Sequence, residues 1–294
     1  MDLQGRRVAF FGGDRRELEV AGTFHRMGAR IRCVGLPWPD DLSWVGNVTE
    51  EVAAWADLWI CPVGGVDEFG NVLYSLTAQM ETPPRLTEEV VRKARPGTVL
   101  FIGRAHPHLR QMAATWGLNL VEFRERDDFA LKNAVPSAEG AIQIALREMD
   151  ITLHQSVALV CGYGRLGSVL ARMVKGIGAR THVAARHQTD LARIWSNGYI
   201  PIDIHHIGDL APEIDVVFNT VPAMVLGPEV LEHMKPTTVI VDIASAPGGT
   251  DFAAAKRLGV KATLAPGLPG ITAPRTAGRI VAETLLALMD EMHL

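Results

Sequence analysis

Short runs of aliphatic and β-branched residues alternate along this chain with longer stretches whose apolar positions recur every three or four residues. That alternation predicts parallel strands joined by helical crossovers. Strands are expected at Val8–Gly12, Arg30–Gly35, Leu58–Val63, Thr98–Ile102 and Asn119–Phe123. Helices are expected from an Asp14 cap to about Met27, near Thr87–Ala94 and over Pro107–Trp116. A second series begins at Val157–Cys161 and continues at Thr181–Ala185, Val216–Thr220, Val239–Ile243 and Lys261–Leu264. The prediction is an α/β protein of two domains, over residues 1–132 and 151–272. A linker helix joins them over 133–150, its cap at Ser137 and its apolar face at Ile142, Ala145, Leu146 and Met149. Thr272–His293 reads as a terminal helix, and the last segment, 273–294, packs on the first domain or on the second. The series share an echo: Gly12 is followed sixteen residues on by Gly28-Ala29-Arg30, and Gly162 by Gly178-Ala179-Arg180.

Composition narrows the function classes. With 48% hydrophobic and 21% charged residues, the 294-residue chain is globular rather than disordered. The net charge of -4 falls in the first 150 residues and the second half is balanced, so neither half has the basic surplus of a nucleic-acid binder. No apolar stretch reaches the roughly 18 residues of a membrane span. Cys33, Cys61 and Cys161 lie far apart in apolar runs, with no metal spacing and no disulfide framework. A reducing cytosol is the expected compartment, and no metal is expected.

The chemistry concentrates in Cys161-Gly162-Tyr163-Gly164-Arg165-Leu166-Gly167, which follows a strand and opens a helix. In that context G-x-G-x-x-G predicts dinucleotide binding. Gly162 allows the turn, Gly164 admits the pyrophosphate backbone, and Gly167 lets helix and strand pack closely. The end of the next strand reads Ala185-Arg186-His187-Gln188-Thr189, without the acid that usually holds the ribose hydroxyls of NAD. Arg186, with His187 or Thr189 in reach, predicts a 2′-phosphate and therefore NADP. The first-half turn, Gly12-Gly13-Asp14, lacks the third glycine and places a carboxylate where phosphate would sit. Asp14 reads as a helix cap there. Three further strand ends are candidates for the nicotinamide and substrate: Asn219-Thr220-Val221-Pro222, Asp242 to Gly249, and Ala265 to Gly270. Each reads equally as a tight turn.

FFGGDRRELE, FRERDDFALKNAVPSAEGAI, CGYGRLG, NTVPAMVL, DIASAPGGTDF and LAPGLPGITAPRTAG together resemble the family of dipicolinate synthase A subunits over essentially the whole chain. The resemblance implies an N-terminal flavodoxin-like domain and an NADP-binding Rossmann domain. It implies NADP-dependent oxidation of dihydrodipicolinate to dipicolinate, in the lysine-pathway branch that supplies spores in the cytoplasm of a sporulating bacterium. The flavoprotein-like B subunit of dipicolinate synthase is the implied partner, and a homo-oligomer the expected assembly. The cofactor role carries onto Gly162, Tyr163, Gly164, Arg165, Leu166 and Gly167, onto Arg186 and His187, and onto Asn219, Thr220, Val221, Pro222 and Ala244.

Such a substrate has two carboxylates and loses a hydride and a proton on becoming a pyridine. Carboxylate anchors would be Arg126, Lys132 or Arg275, the polar groups of Asn133 and Ser137, or the amides from Ser245 through Gly248 to Gly249. Proton acceptors would be Glu139 at the start of the linker helix, His106 or His108. A D-2-hydroxyacid dehydrogenase shares the two-domain plan but needs a cation and a histidine after the last strands. Those places hold Ser245-Ala246-Pro247 and Pro266 to Gly270. A non-catalytic, dinucleotide-binding protein that leaves chemistry to its partner is the other alternative.

Overall fold

The computed structural model describes residues 2–36, 49–73 and 83–294. The chain divides into two compact units, residues 1–130 with 274–294, and residues 131–273.

The first unit holds β1 (Arg7–Phe11), α1 (Arg15–Arg26), β2 (Arg30–Val34), α2 (Thr49–Trp55), β3 (Leu58–Ile60), α3 (Glu88–Arg92), β4 (Val99–Ile102), α4 (Pro107–Trp116) and β5 (Asn119–Glu122). Its all-parallel sheet has the order β2-β1-β3-β4-β5, the flavodoxin-like winding with its switch point between β1 and β3. Strand alternation explains the two layers. Val8 and Phe10 face a cluster with Val20 and Phe24 of α1, whereas Ala9 and Phe11 face one with Val52, Val90 and Leu109.

The second unit begins within α5 (Asp127–Glu148). It continues through β6 (Val157–Cys161), α6 (Arg165–Ile177), β7 (Arg180–Ala185), α7 (Gln188–Ser196), β8 (Ile200–Asp203), α8 (Ile207–Leu210) and β9 (Val216–Asn219). It is completed by α9 (Pro228–Leu231), β10 (Val239–Asp242), α10 (Phe252–Leu258), β11 (Lys261–Leu264) and α11 (Leu268–Thr272). The order β11-β10-β9-β6-β7-β8, parallel throughout, is the Rossmann winding with its reversal between β6 and β9. Ala158 and Val160 face the side of α5 and α6, and Leu159 and Cys161 the side of α8 to α10. His182 on β7 is buried with neither ring nitrogen hydrogen-bonded among the described residues, and burial pushes its pKa down, so the imidazole is neutral.

The last helix, α12 (Pro274–Glu291), belongs to the first unit and packs along α1. Leu285 and Met289 are fully buried in the same cluster as Phe10 and Phe24. Arg126 links the ends of this unit by pairing with both Asp128 and Glu291, at 3.0 and 2.9 Å.

Several boundaries differ from expectation. The linker helix starts at Asp127, not near Ser137. Asp127 and Asp128 supply its acidic first turn, and the Ser137 hydroxyl donates back to the Asn133 carbonyl at 2.9 Å. Pro136 sits inside this helix and removes one rung from its ladder. The expected helix Thr272–His293 is α12, which Pro274 opens two residues later than expected; the short helix α11 before it, with Pro269 in its first turn, was not expected. The edge strand β8 has no counterpart in the sequence reading; it carries Pro201, which a strand paired on one side tolerates.

Candidate functional site

The two units repeat one βαβ construction, so their differences are informative. At the far end of the first helix the bonds match. The Gly28 and Gly178 N–H groups donate to the His25 and Lys175 carbonyls, and Arg30 and Arg180 donate to Arg6 and Ser156. At the strand end, Gly12 N–H donates to Val34 O at 2.7 Å and Gly162 N–H to Ala184 O at 2.8 Å. Both glycines have positive φ, +63° and +95°.

The helix N-termini then diverge. In α1, Asp14 caps the helix, its carboxylate accepting from the Arg16 amide at 2.8 Å and pairing with the Arg16 guanidinium at 2.8 Å. Glu17 folds back so that its carboxylate accepts from the Asp14 amide at 2.8 Å. All three side chains are buried, and burial pushes Glu17 up to about 7. This N-terminus is filled by its own side chains. In α6 the cap is Gly164, with no side-chain capping bond, and a Cβ placed there meets nothing within 4 Å. Its neighbours are closed instead: a Cβ on Gly167 would lie 2.1 Å from the Gly162 carbonyl oxygen, and one on Gly162 2.5 Å from Thr220 Oγ1. Two glycines therefore close the turn, and the third leaves the positive end of a thirteen-residue helix open to an anion.

Thr220 locks this turn to β9. Its amide and hydroxyl both donate to the Cys161 carbonyl, at 3.0 and 2.7 Å. Asn219 is fully buried; its amide donates to Val221 O at 3.1 Å and its Oδ1 accepts from Val221 N at 3.0 Å. It shapes the loop through Pro222 and has no exposed atom to offer a ligand. Tyr163 turns into the helix layer, where its ring packs edge-on against Tyr199 at 6.1 Å with Arg193 above it at 6.0 Å. Arg186 and His187 are exposed just beyond β7, with Arg186 Nη2 3.2 Å from His187 Nε2.

The loop after β10 is organised by the residue that in the sequence reading only marked the start of that candidate segment. Asp242 is fully buried and accepts from Ala244 N at 3.1 Å, Gly249 N at 2.8 Å and Thr250 Oγ1 at 2.8 Å. Ala244 is buried, while Ser245, Ala246 and Pro247 form an exposed crest. Gly248 closes the crest by donating to the Ser245 carbonyl at 2.9 Å, so its amide is already used.

Predicted substrate groups are distributed between the units. His106 caps α4, its Nδ1 accepting from His108 N at 3.3 Å. Arg275 is 77% exposed and pairs with Glu19 at 3.9 Å. Arg126 is committed to its two carboxylates. In the second unit, Asn133 and Ser137 share a face of α5, and the Asn133 Oδ1 is buried without a hydrogen-bond partner among the described residues. Glu139 lies in the middle of α5 rather than in its first turn, exposed and about 200° around the helix from Ser137. No group of three or more histidine, cysteine or acidic residues able to hold a metal occurs among the described residues. The three thiols are buried and pushed up, Cys33 to about 12. No described helix is long and apolar enough to cross a membrane.

Residues 7–124 match the family model of the N-terminal domain of the dipicolinate synthase A subunit, and residues 134–250 that of the D-isomer specific 2-hydroxyacid dehydrogenase NAD binding domain. The dipicolinate synthase A subunit of Bacillus subtilis (strain 168) is 37% identical over 99% of this chain and 98% of its own length. The crystal structure of the dipicolinate synthase A subunit from Bacillus halodurans superposes with a TM-score of 0.89 at 37% identity, over 98% of this chain and 99% of that one. The corresponding crystal structure from Bacillus subtilis gives 0.87 at 36%, over 99% and 98%. The second unit is therefore a dehydrogenase-type NAD-binding domain.

Proposed function

This chain belongs to the family of dipicolinate synthase A subunits, and from that premise we propose that it oxidises dihydrodipicolinate to dipicolinate with NADP. The observation that carries the reading is that the N-terminus of α6 is open whereas that of α1 is filled. One unit is built to receive a pyrophosphate; the other has spent that position on its own carboxylates.

Bound there, a nicotinamide supplies the hydride acceptor. Gly164, Arg165, Leu166 and Gly167 present the helix end to the pyrophosphate. Arg186 and His187 stand where the adenine ribose ends, and a guanidinium pairs with a 2′-phosphate but gives a bare hydroxyl little. The turn Thr220 to Pro222 and Ala244 flank the other half of the dinucleotide. Ser245 and the crest amides, with Asn133 and Ser137 on α5, bind the substrate carboxylates. Oxidation of the substrate would remove one hydride and one proton from its ring, with the gain of aromaticity as the driving force. The candidate proton acceptors are Glu139, on the other side of α5 from Ser137, and His106, the cap of α4. Glu139→Gln and His106→Asn variants separate the two by which one flattens the acid limb of the pH–rate profile.

The loops after β9, β10 and β11 hold no histidine, and their one carboxylate, Asp251, caps α10; this favours a second reading in which a flavoprotein-like B subunit completes the site. One assay divides the readings: the purified chain with NADP and freshly generated dihydrodipicolinate, followed by reduced nicotinamide. Turnover places hydride transfer on this chain. Absence of turnover, with NADP binding established in the same sample, assigns completion of the site to the partner. A D-2-hydroxyacid dehydrogenase activity is disfavoured, because Ser245-Ala246-Pro247 and Pro266 to Gly270 carry neither the cation nor the histidine it needs.

A further inference from the structure

We infer that Asp242 is a positioning residue for the nicotinamide half of the dinucleotide site, acting through the loop from Ile243 to Thr250. The inference rests on the dinucleotide reading above and concerns which residue sets the geometry of that half. A fully buried carboxylate with no cation in contact among the described residues is costly unless its oxygens are satisfied, and here both are. Oδ1 takes the Ala244 amide at 3.1 Å, and Oδ2 takes the Gly249 amide and the Thr250 hydroxyl, each at 2.8 Å. All three donors lie within eight residues of Asp242, on the loop it precedes. The carboxylate thus holds both feet of the loop and leaves its crest in solvent.

The loop is also tied sideways. Ile243 N donates to Asn219 O at 2.9 Å, and Val225 and Leu226 both donate to Gly249 O at 2.9 Å. A Cβ on Gly249 would come within 2.6 Å of Val221 O and of Asn219 Nδ2, so the loops after β9 and β10 touch backbone to backbone. With Thr220 bonded to Cys161, the ends of β6, β9 and β10 form one connected edge. The strand order reverses between β6 and β9, so the adenosine half of a dinucleotide belongs over β7 and the nicotinamide half over β9 and β10. Asp242 touches only the second half. Its bonds consume the Ala244 and Gly249 amides, and Gly248 is consumed by Ser245. The Ser245 and Ala246 N–H groups are left without a partner among the described residues, side by side on the crest. An adjacent amide pair of this kind suits a carboxylate oxygen.

The test compares whole cofactor with its adenosine fragment on the full chain, by calorimetric titration of wild type, Asp242→Asn and Thr250→Val. The fragment is 2′-phospho-ADP-ribose for NADP and ADP-ribose for NAD. Asp242→Asn turns an N–H toward a donor and is expected to weaken the whole cofactor about tenfold while the fragment stays within about twofold. Thr250→Val removes one donor from a carboxylate still held by two amides, and about threefold is expected in the same direction. Equal loss of both ligands, or loss of neither, overturns the inference. Should Asp242→Asn fail to fold, Thr250→Val decides by the same ratio. A wild-type chain that binds neither fragment overturns the dinucleotide reading itself, and the inference with it.

Discussion

At Arg186 one side chain is asked to choose between two cofactors. A guanidinium–phosphate pair is worth about 1.5–3 kcal/mol when charge-assisted. Arg186→Asp should therefore weaken NADP tenfold to a hundredfold, by about those energies, and change NAD by less than about threefold. An unchanged NADP/NAD affinity ratio removes Arg186 from the 2′-phosphate. Glu17 poses a different question, because its carboxyl is buried and protonates near pH 7, against an ordinary value of 4.5. Unfolding releases that proton between those two values, so stability of the first unit falls as pH rises from about 4.5 to about 7. Glu17→Gln keeps the capping bond and lacks the charge. Its midpoint in chemical denaturation should exceed wild type above pH 7 and converge with it near pH 4.5; parallel curves would contradict this. Individual residues were legible where steric need is local, as at Gly162 and Gly167. They were illegible where a side chain serves its own backbone. Asn219 looked like a ligand group, yet its amide is spent two residues away; the donors that give Asp242 its role lie up to eight residues on.

Helices α1 and α6 show how much one position decides within an element. Gly164 has φ of −81°, a conformation open to any residue, and open space around its Cβ. Gly164→Asp should rebuild the situation of α1: about 0.5–1 kcal/mol of added helix stability from capping and dipole, together with loss of dinucleotide binding. A thermal-shift measurement with and without NADP reads both effects at once. Retained binding would mean that the pyrophosphate does not sit at this helix end. Most strands and long helices were legible because apolar alternation and period 3.6 are strong signals over such lengths. The start of α5 was not, because Ser137 resembles a cap in sequence while its hydroxyl bonds back to Asn133 inside the helix. The edge strand β8 pairs on one side only, which tolerates Pro201 and leaves little apolar signal to read.

For the molecule as a whole, the first unit is discontinuous in sequence and the second is not. α12 contributes Leu285, Leu288 and Met289 to the first core, each buried at about 1.5–3 kcal/mol. Their sum is of the order of a whole domain's stability, about 5–15 kcal/mol. A chain ending at Ala273 should therefore lose the calorimetric transition of the first unit and keep that of the second, with NADP still raising the latter. Survival of both transitions would show that α12 is dispensable. The same arrangement sets an order in time during synthesis. Residues 131–273 leave the ribosome before the helix that closes the first core, and at about 5–20 residues per second that delay is roughly 7–30 seconds. The half of the protein made first is the last able to finish folding. Throughout that interval the side of α1 that α12 covers waits exposed to solvent.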